Sequence, residues 1–171
     1  IYENSYGSSH PYTSNSLVKI GEYYIQNEKI DSALQMFQSS LTANSFSFTS
    51  TDISKNPTAD ECISKLQLLS SLRSKAGALF KISTLKDKSE AMSFLSMSIR
   101  TADYALSLSE ELRRDFISKE SKLIITEEEK ECFSICLSAS MYMYKLTENE
   151  QFAERAFIYA SESKASVFRD D

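Results

Sequence analysis

Apolar residues recur every three or four positions through most of the chain and nowhere alternate strictly, a pattern that predicts helices and no strands. Leu17, Ile20, Gly21 and Tyr24 share one face of a first helix over 11–27. Pro11 suits its first turn, where a missing N–H loses no hydrogen bond. After the turn Asn27-Glu28-Lys29, Ala33, Leu34, Phe37 and Leu41 form the stripe of a second helix over 30–43. Two helices joined by so short a turn pack antiparallel.

Residues 44–58 (NSFSFTSTDISKNPT) are rich in Ser, Thr and Asn, and Asn56-Pro57 disfavours helix locally, so this stretch reads as the longest loop. Thr58 followed by Glu61 has the spacing of a capping box, predicting a third helix from there to Thr84, about 39 Å long. Its buried face is Ile63, Leu66, Leu69, Leu72, Ala76, Leu79 and Phe80. A fourth helix over 88–114 carries Met92, Leu95, Ile99, Ala102, Ala105, Leu106 and Leu112. Two more follow over 119–146 and 150–168, separated by Thr147-Glu148-Asn149, with Thr126 a candidate cap and break within the fifth. Six helices make three antiparallel hairpins, about 11–43, 58–114 and 119–168, and the expected architecture is all-α, an α-solenoid.

Composition agrees with helices. The 171 residues include only 3 Gly and 2 Pro, so breakers are few, and 42% hydrophobic residues suffice for a core. A charged fraction of 25% with a net charge of −5 excludes a disordered polyelectrolyte and argues against nucleic acid as partner. No apolar run approaches the roughly 20 residues of a membrane span, and no signal-peptide pattern appears, so no membrane insertion and a cytoplasmic location are expected. The start at Ile1 suggests a fragment or processed product.

Candidate chemistry is sparse. Of the three cysteines, Cys132 and Cys136 sit four apart on one helical face, poorly placed to bridge, and read as reduced, buried thiols. His10 is the only histidine; with no C-x-x-C or HExxH spacing, neither a metal nor a cofactor is expected. Gly7, Gly21 and Gly77 are isolated and form no phosphate loop. The run Glu127-Glu128-Glu129-Lys130-Glu131 suits the start of a helical turn and reads as a solvated face, where Glu128→Gln would change stability by less than about 0.5 kcal/mol.

The first hairpin resembles the tetratricopeptide repeat. That repeat places large, large, small and aromatic residues along its first helix, matched by Leu17, Ile20, Gly21 and Tyr24. Small, aromatic and small residues follow along its second helix, matched by Ala33, Phe37 and Ser40. Gly21 and Ala33 would let the backbones approach while Tyr24 and Phe37 fill the gaps. The preceding GSSHPYTSNSL is similar to the G-x-x-HP start of longer variants, which makes residues 1–10 the tail of a truncated earlier repeat. In the later hairpins small residues persist (Ala76, Ser98, Ala102, Ala105, Ala156, Ala160, Ser163), but Ala102 and Ala160 replace the second-helix aromatic. SLRSKAGALF (71–80), YALSLSEELR (104–113) and AFIYASESKASVF (156–168) look like the tetratricopeptide region that precedes a caspase-like CHAT domain in bacterial proteins.

The resemblance implies a right-handed superhelical array whose first helices line a concave groove for a partner protein or peptide. In the first hairpin Asn15, Val18, Lys19, Glu22 and Ile25 map to that groove, in the second Arg73, Gly77 and Lys81, and in the third Tyr142 and Lys145. Lys19 matches part of the family's carboxylate clamp, but Glu22 stands where Asn is expected and would repel a terminal carboxylate. The expected function is a protein-interaction scaffold, the sensing part of a larger CHAT-type protein. The rival is a structural spacer or oligomerisation segment. Catalysis is not expected, because the His/Cys dyad of a caspase-like domain has no counterpart here.

Overall fold

In the computed structural model, which describes residues 8–116 and 119–167, six α-helices follow one another: α1 (Pro11–Gln26), α2 (Ile30–Ala43), α3 (Lys65–Ser83), α4 (Lys88–Asp115), α5 (Lys119–Thr147) and α6 (Glu150–Val167). Among the described residues there is no strand, only an isolated antiparallel bridge between Ser45 and Cys62. The expected tail over 1–10 falls largely, at residues 1–7, outside the described residues.

Each consecutive pair packs as an antiparallel hairpin, and each hairpin leans on the next: α2 and α1 both contact α3, and α4 and α3 both contact α5. The larger core lies between α3, α4 and α5, where Leu68, Leu72, Leu95, Ile99, Ile125 and Cys136 are buried. A smaller one joins the first hairpin to α3 through Val18, Phe37, Leu79 and Ile82. Among the described residues, no helix is long and apolar enough to cross a membrane.

Close backbone approach explains the first hairpin. A Cβ on Gly21 would stand 2.4 Å from Phe37 Cε1, so the ring of Phe37 occupies the space a side chain would need. The Ser14 hydroxyl donates to the Ser40 carbonyl at 2.8 Å, spanning α1 and α2. Ser98 donates in the same way to the Ala76 carbonyl at 2.8 Å, spanning α4 and α3. Because Ser14 and Gly21 set the crossing, Val18, midway between them on that stripe, is buried at 1% exposure. Val18 is thus a core residue rather than a groove residue. Ile20, expected in the core, faces outward and is 43% exposed.

The short turns fall where the sequence places them. Glu28 and Glu148, at the centres of Asn27-Glu28-Lys29 and Thr147-Glu148-Asn149, both adopt the left-handed conformation (φ 58° and 57°), so the first and third hairpins reverse in the same way. At the start of α1 the His10 ring accepts from the Tyr12 N–H at 3.1 Å, with Pro11 in the first turn.

The third helix starts later than expected. Thr58 and Glu61 do pair, the Glu61 carboxylate accepting from the Thr58 N–H at 2.7 Å, but they close only a 3-10 turn over Ala59–Glu61. Cys62 is extended, and α3 begins at Lys65, capped by the Ser64 hydroxyl, which accepts from the Gln67 N–H at 3.2 Å. Asn44 explains the interruption. Its side chain donates to the Ser64 carbonyl at 2.8 Å and accepts from the Ser64 N–H at 3.2 Å, while its carbonyl takes the Ile63 N–H at 2.9 Å. These long-range bonds satisfy the backbone groups a continuing helix would have used. The expected break near Thr126 is absent: α5 is continuous there, and the Thr126 hydroxyl donates to the Lys122 carbonyl within the helix at 2.8 Å.

The long loop is pinned from beneath. Lys75, fully buried on α3, sends its three ammonium hydrogens to Gln38 Oε1 at 2.6 Å, the Lys55 carbonyl at 2.8 Å and Asn56 Oδ1 at 2.8 Å. Gln38 in turn donates to the Ser50 carbonyl at 2.8 Å. Burial pushes the Lys75 ammonium down to about 7, with the carboxylate of Asp52 pulling weakly the other way.

Candidate binding groove

The first helices of the three hairpins, α1, α3 and α5, stand side by side, and a groove of about 520 Å³ runs over them. Its middle lies over Gly77, whose missing side chain leaves the floor open: a Cβ there would meet only Ile135 Cδ1, at an ordinary 3.6 Å. Ile25, Phe80 and Ile135 make the middle apolar. Glu22, Arg73 and Glu131 lie at one end, and Lys81, exposed, lies two helical turns further along α3.

Arg73 joins all three helices. Its guanidinium reaches Glu128 Oε2 at 2.7 Å and Glu131 Oε2 at 3.0 Å on α5, and Glu22 Oε1 at 3.7 Å on α1. Burial opposes its charge, but the Glu128 hydrogen bond and the three carboxylates outweigh that and raise its pKa. Lys19, on the outer side of α1, shares Glu22 at 2.9 Å.

Of the residues expected in the groove, Glu22, Arg73, Gly77 and Lys81 are brought together, with Lys19 at the margin. Tyr142 and Lys145 do not line it. Tyr142 packs half-buried against the core and Lys145 is exposed in the last turn of α5, beyond the end of the groove.

The acidic run on α5 is a solvated face only in part: Glu127, Lys130 and Glu131 are exposed, Glu128 is half-buried and Glu129 buried. Successive residues fan around a helix by about 100° each, so one run can address several neighbours. Glu127 and Lys130 face solvent. Glu128 and Glu131 turn to Arg73 on α3, whereas Glu129, 2% exposed, turns to α4. There Arg113 grips Glu129 with two bonds of 2.6 and 2.9 Å, and the Ser109 hydroxyl adds a third at 2.7 Å. The signal that could have found these pairs was the position of each arginine on the buried stripe of its helix, Arg73 one turn from Leu69 and Ala76 and Arg113 one turn from Ser109, where a charge needs a countercharge.

The cysteines are packing residues in this arrangement. All three are free and buried; burial pushes the Cys62 thiol up to about 12 and the Cys132 and Cys136 thiols higher than an ordinary thiol. At the far side of α4, Asp103 accepts from the Tyr159 hydroxyl at 2.6 Å and from Arg155 at 2.8 Å, which fastens α6 to the stack.

No known protein family, curated protein or solved structure matches this chain.

Proposed function

We propose that the chain is a protein-interaction scaffold of the tetratricopeptide type, binding a segment of a partner protein in the groove over α1, α3 and α5. The supporting observation is the floor of that groove. Three helices are fixed side by side by the Arg73 carboxylate network, while Gly77 withholds a side chain from the one place where an apolar ligand residue would sit. Rigid helices presenting fixed side chains lose little entropy on binding, which suits peptide capture. In this reading the chain binds and does not catalyse. Its test is a Gly77→Leu variant, whose Cβ meets only Ile135 Cδ1 at an ordinary 3.6 Å and whose side chain occupies the groove. Loss of partner binding with unchanged circular dichroism supports the reading; unchanged binding refutes it.

A second reading, an oligomerisation segment, draws on the two ends of the stack. Tyr12, Ile20 and Tyr23 are exposed on α1, and Phe157 and Ile158 on α6. Concentration-dependent mass in sedimentation would favour it. The place of the chain beside a caspase-like CHAT domain rests on the resemblance of residues 71–80, 104–113 and 156–168. The coding sequence downstream tests that: a caspase-like His/Cys domain supports it, and any other domain removes it.

A further inference from the structure

The charges of the groove are ordered along its length, and that order defines a ligand. Around Arg73 three carboxylates (Glu22, Glu128 and Glu131) face one guanidinium, with the exposed Lys19 shared from outside, so this end keeps a negative excess. Glu131 is the open one, its side chain 62% exposed. Lys81 lies eight residues further along the same helix, about 12 Å away, and makes the other end positive. Gly77, halfway between them, marks the apolar middle. An extended peptide covers that distance between residues i and i+4, at about 3.3 Å per residue. Alternate side chains of an extended strand point to one face, so positions i, i+2 and i+4 address the two charged ends and the apolar middle together.

We infer, resting on the peptide-groove reading above, that the groove selects an extended segment with a basic residue, a central apolar residue and an acidic residue at alternate positions. The basic side chain meets Glu131 and Glu22, the apolar one enters over Gly77 against Ile25 and Ile135, and the acidic one meets Lys81. Either chain direction satisfies the pattern, because side chains rather than backbone carry the recognition. A uniformly acidic segment, which Arg73 alone would favour, is disfavoured because Arg73 is already held by three carboxylates.

The probes are three acetylated, amidated nonapeptides: Ala-Ser-Lys-Ala-Leu-Ala-Glu-Ser-Ala, and the same peptide with Lys at both charged positions or Glu at both. Each is titrated into the whole chain and followed by amide chemical shifts, with Ala78 and Ile135 in the groove lining as reporters. The mixed-charge peptide is expected to bind about threefold or more tightly than either like-charged one, the size that single partly exposed ion pairs give. Lys81→Glu, an exposed position, should move the preference to the doubly basic peptide by a similar factor. Gly77→Leu should abolish the shifts for all three while leaving the helical spectrum intact. Equal binding of the three peptides, still blocked by Gly77→Leu, overturns the charge order but leaves the groove reading standing. Shifts that survive Gly77→Leu, or no shifts with any peptide, overturn both.

Discussion

Replacing Lys75 with Met would remove the ammonium beneath the long loop while keeping nearly the same buried stem. Two effects oppose each other. The variant no longer buries a cation, a saving of several kcal/mol per ion once relaxation is allowed. It also strands Gln38 Oε1, the Lys55 carbonyl and Asn56 Oδ1, at about 1–3 kcal/mol for each acceptor left without a donor. At pH 6, where the ammonium is charged folded and unfolded alike, the two nearly cancel and the variant should lose about 1 kcal/mol. The balance then shifts with pH. The folded value of about 7 lies below the ordinary 10.5, so between them the unfolded chain holds more protons and wild-type stability rises as pH rises. The Met variant lacks that slope. From pH 6 to pH 9 the wild-type advantage should therefore widen by about 3 kcal/mol, roughly two pH units at 1.36 kcal/mol each. Urea midpoints at both pH values measure the gap, and hydrogen exchange at residues 50–56 reports whether the loop loosens first. A gap that stays constant with pH, or a loop whose protection is unchanged in the variant, would refute the reasoning.

Four further outcomes follow from the packing. Glu129→Ala removes the buried carboxylate that accepts from Arg113 and Ser109 and should cost about 2–3 kcal/mol in urea unfolding; Glu128→Gln should cost about 1 kcal/mol, because Arg73 keeps Glu22 and Glu131. Gly21→Ala must displace the Phe37 ring and should destabilise by about 1–3 kcal/mol, with partial recovery in the Gly21→Ala, Phe37→Leu double variant; thermal melts of the three chains decide it. Glu28→Gly and Glu148→Gly each relieve a left-handed turn residue and should raise the melting temperature, by about 1–3 °C apiece, whereas a fall at both would show the turns are held by the glutamate side chains.

The helices were legible because each buries a stripe of three or four residues per two turns, and period alone reveals that. Loop-borne long-range bonds leave no such trace. Nothing in the spacing of Thr58 and Glu61 distinguishes a capping box that starts a helix from one that closes a single turn; the difference is made by Asn44, buried fourteen positions earlier in the chain. Rotation about the helix axis was the second gap. With Leu17, Val18, Ile20 and Gly21 all apolar or small, the stripe on α1 could be drawn in two ways, and the choice rests on which residues α2 can approach closely. For the groove, Glu22, Arg73, Gly77 and Lys81 were assigned through the resemblance of the first hairpin to the tetratricopeptide repeat, whose first helices line a groove; no spacing in the sequence singles them out. Tyr142 and Lys145, assigned in the same way, lie in the last turns of α5 and are not among the residues that line the groove.

Beside its leucines this protein buries many small residues along its helices: Ser14, Ser40, Ser71, Ser74, Ser98 and Ser140, with Ala33, Ala76, Ala102 and Ala139, and two of the serines, Ser14 and Ser98, bond across to a neighbouring helix. Small hydroxyl-bearing contacts bring backbones together with little apolar area withdrawn from water. The heat-capacity change of unfolding scales with that area, apolar exposure raising it and polar exposure lowering it. A scanning calorimeter should accordingly record a lower heat-capacity step for this chain than the roughly 12–15 cal/mol/K per residue of ordinary globular domains. Its stability would then vary only gently with temperature, flat across a range over which a leucine-filled bundle of equal length rises and falls steeply.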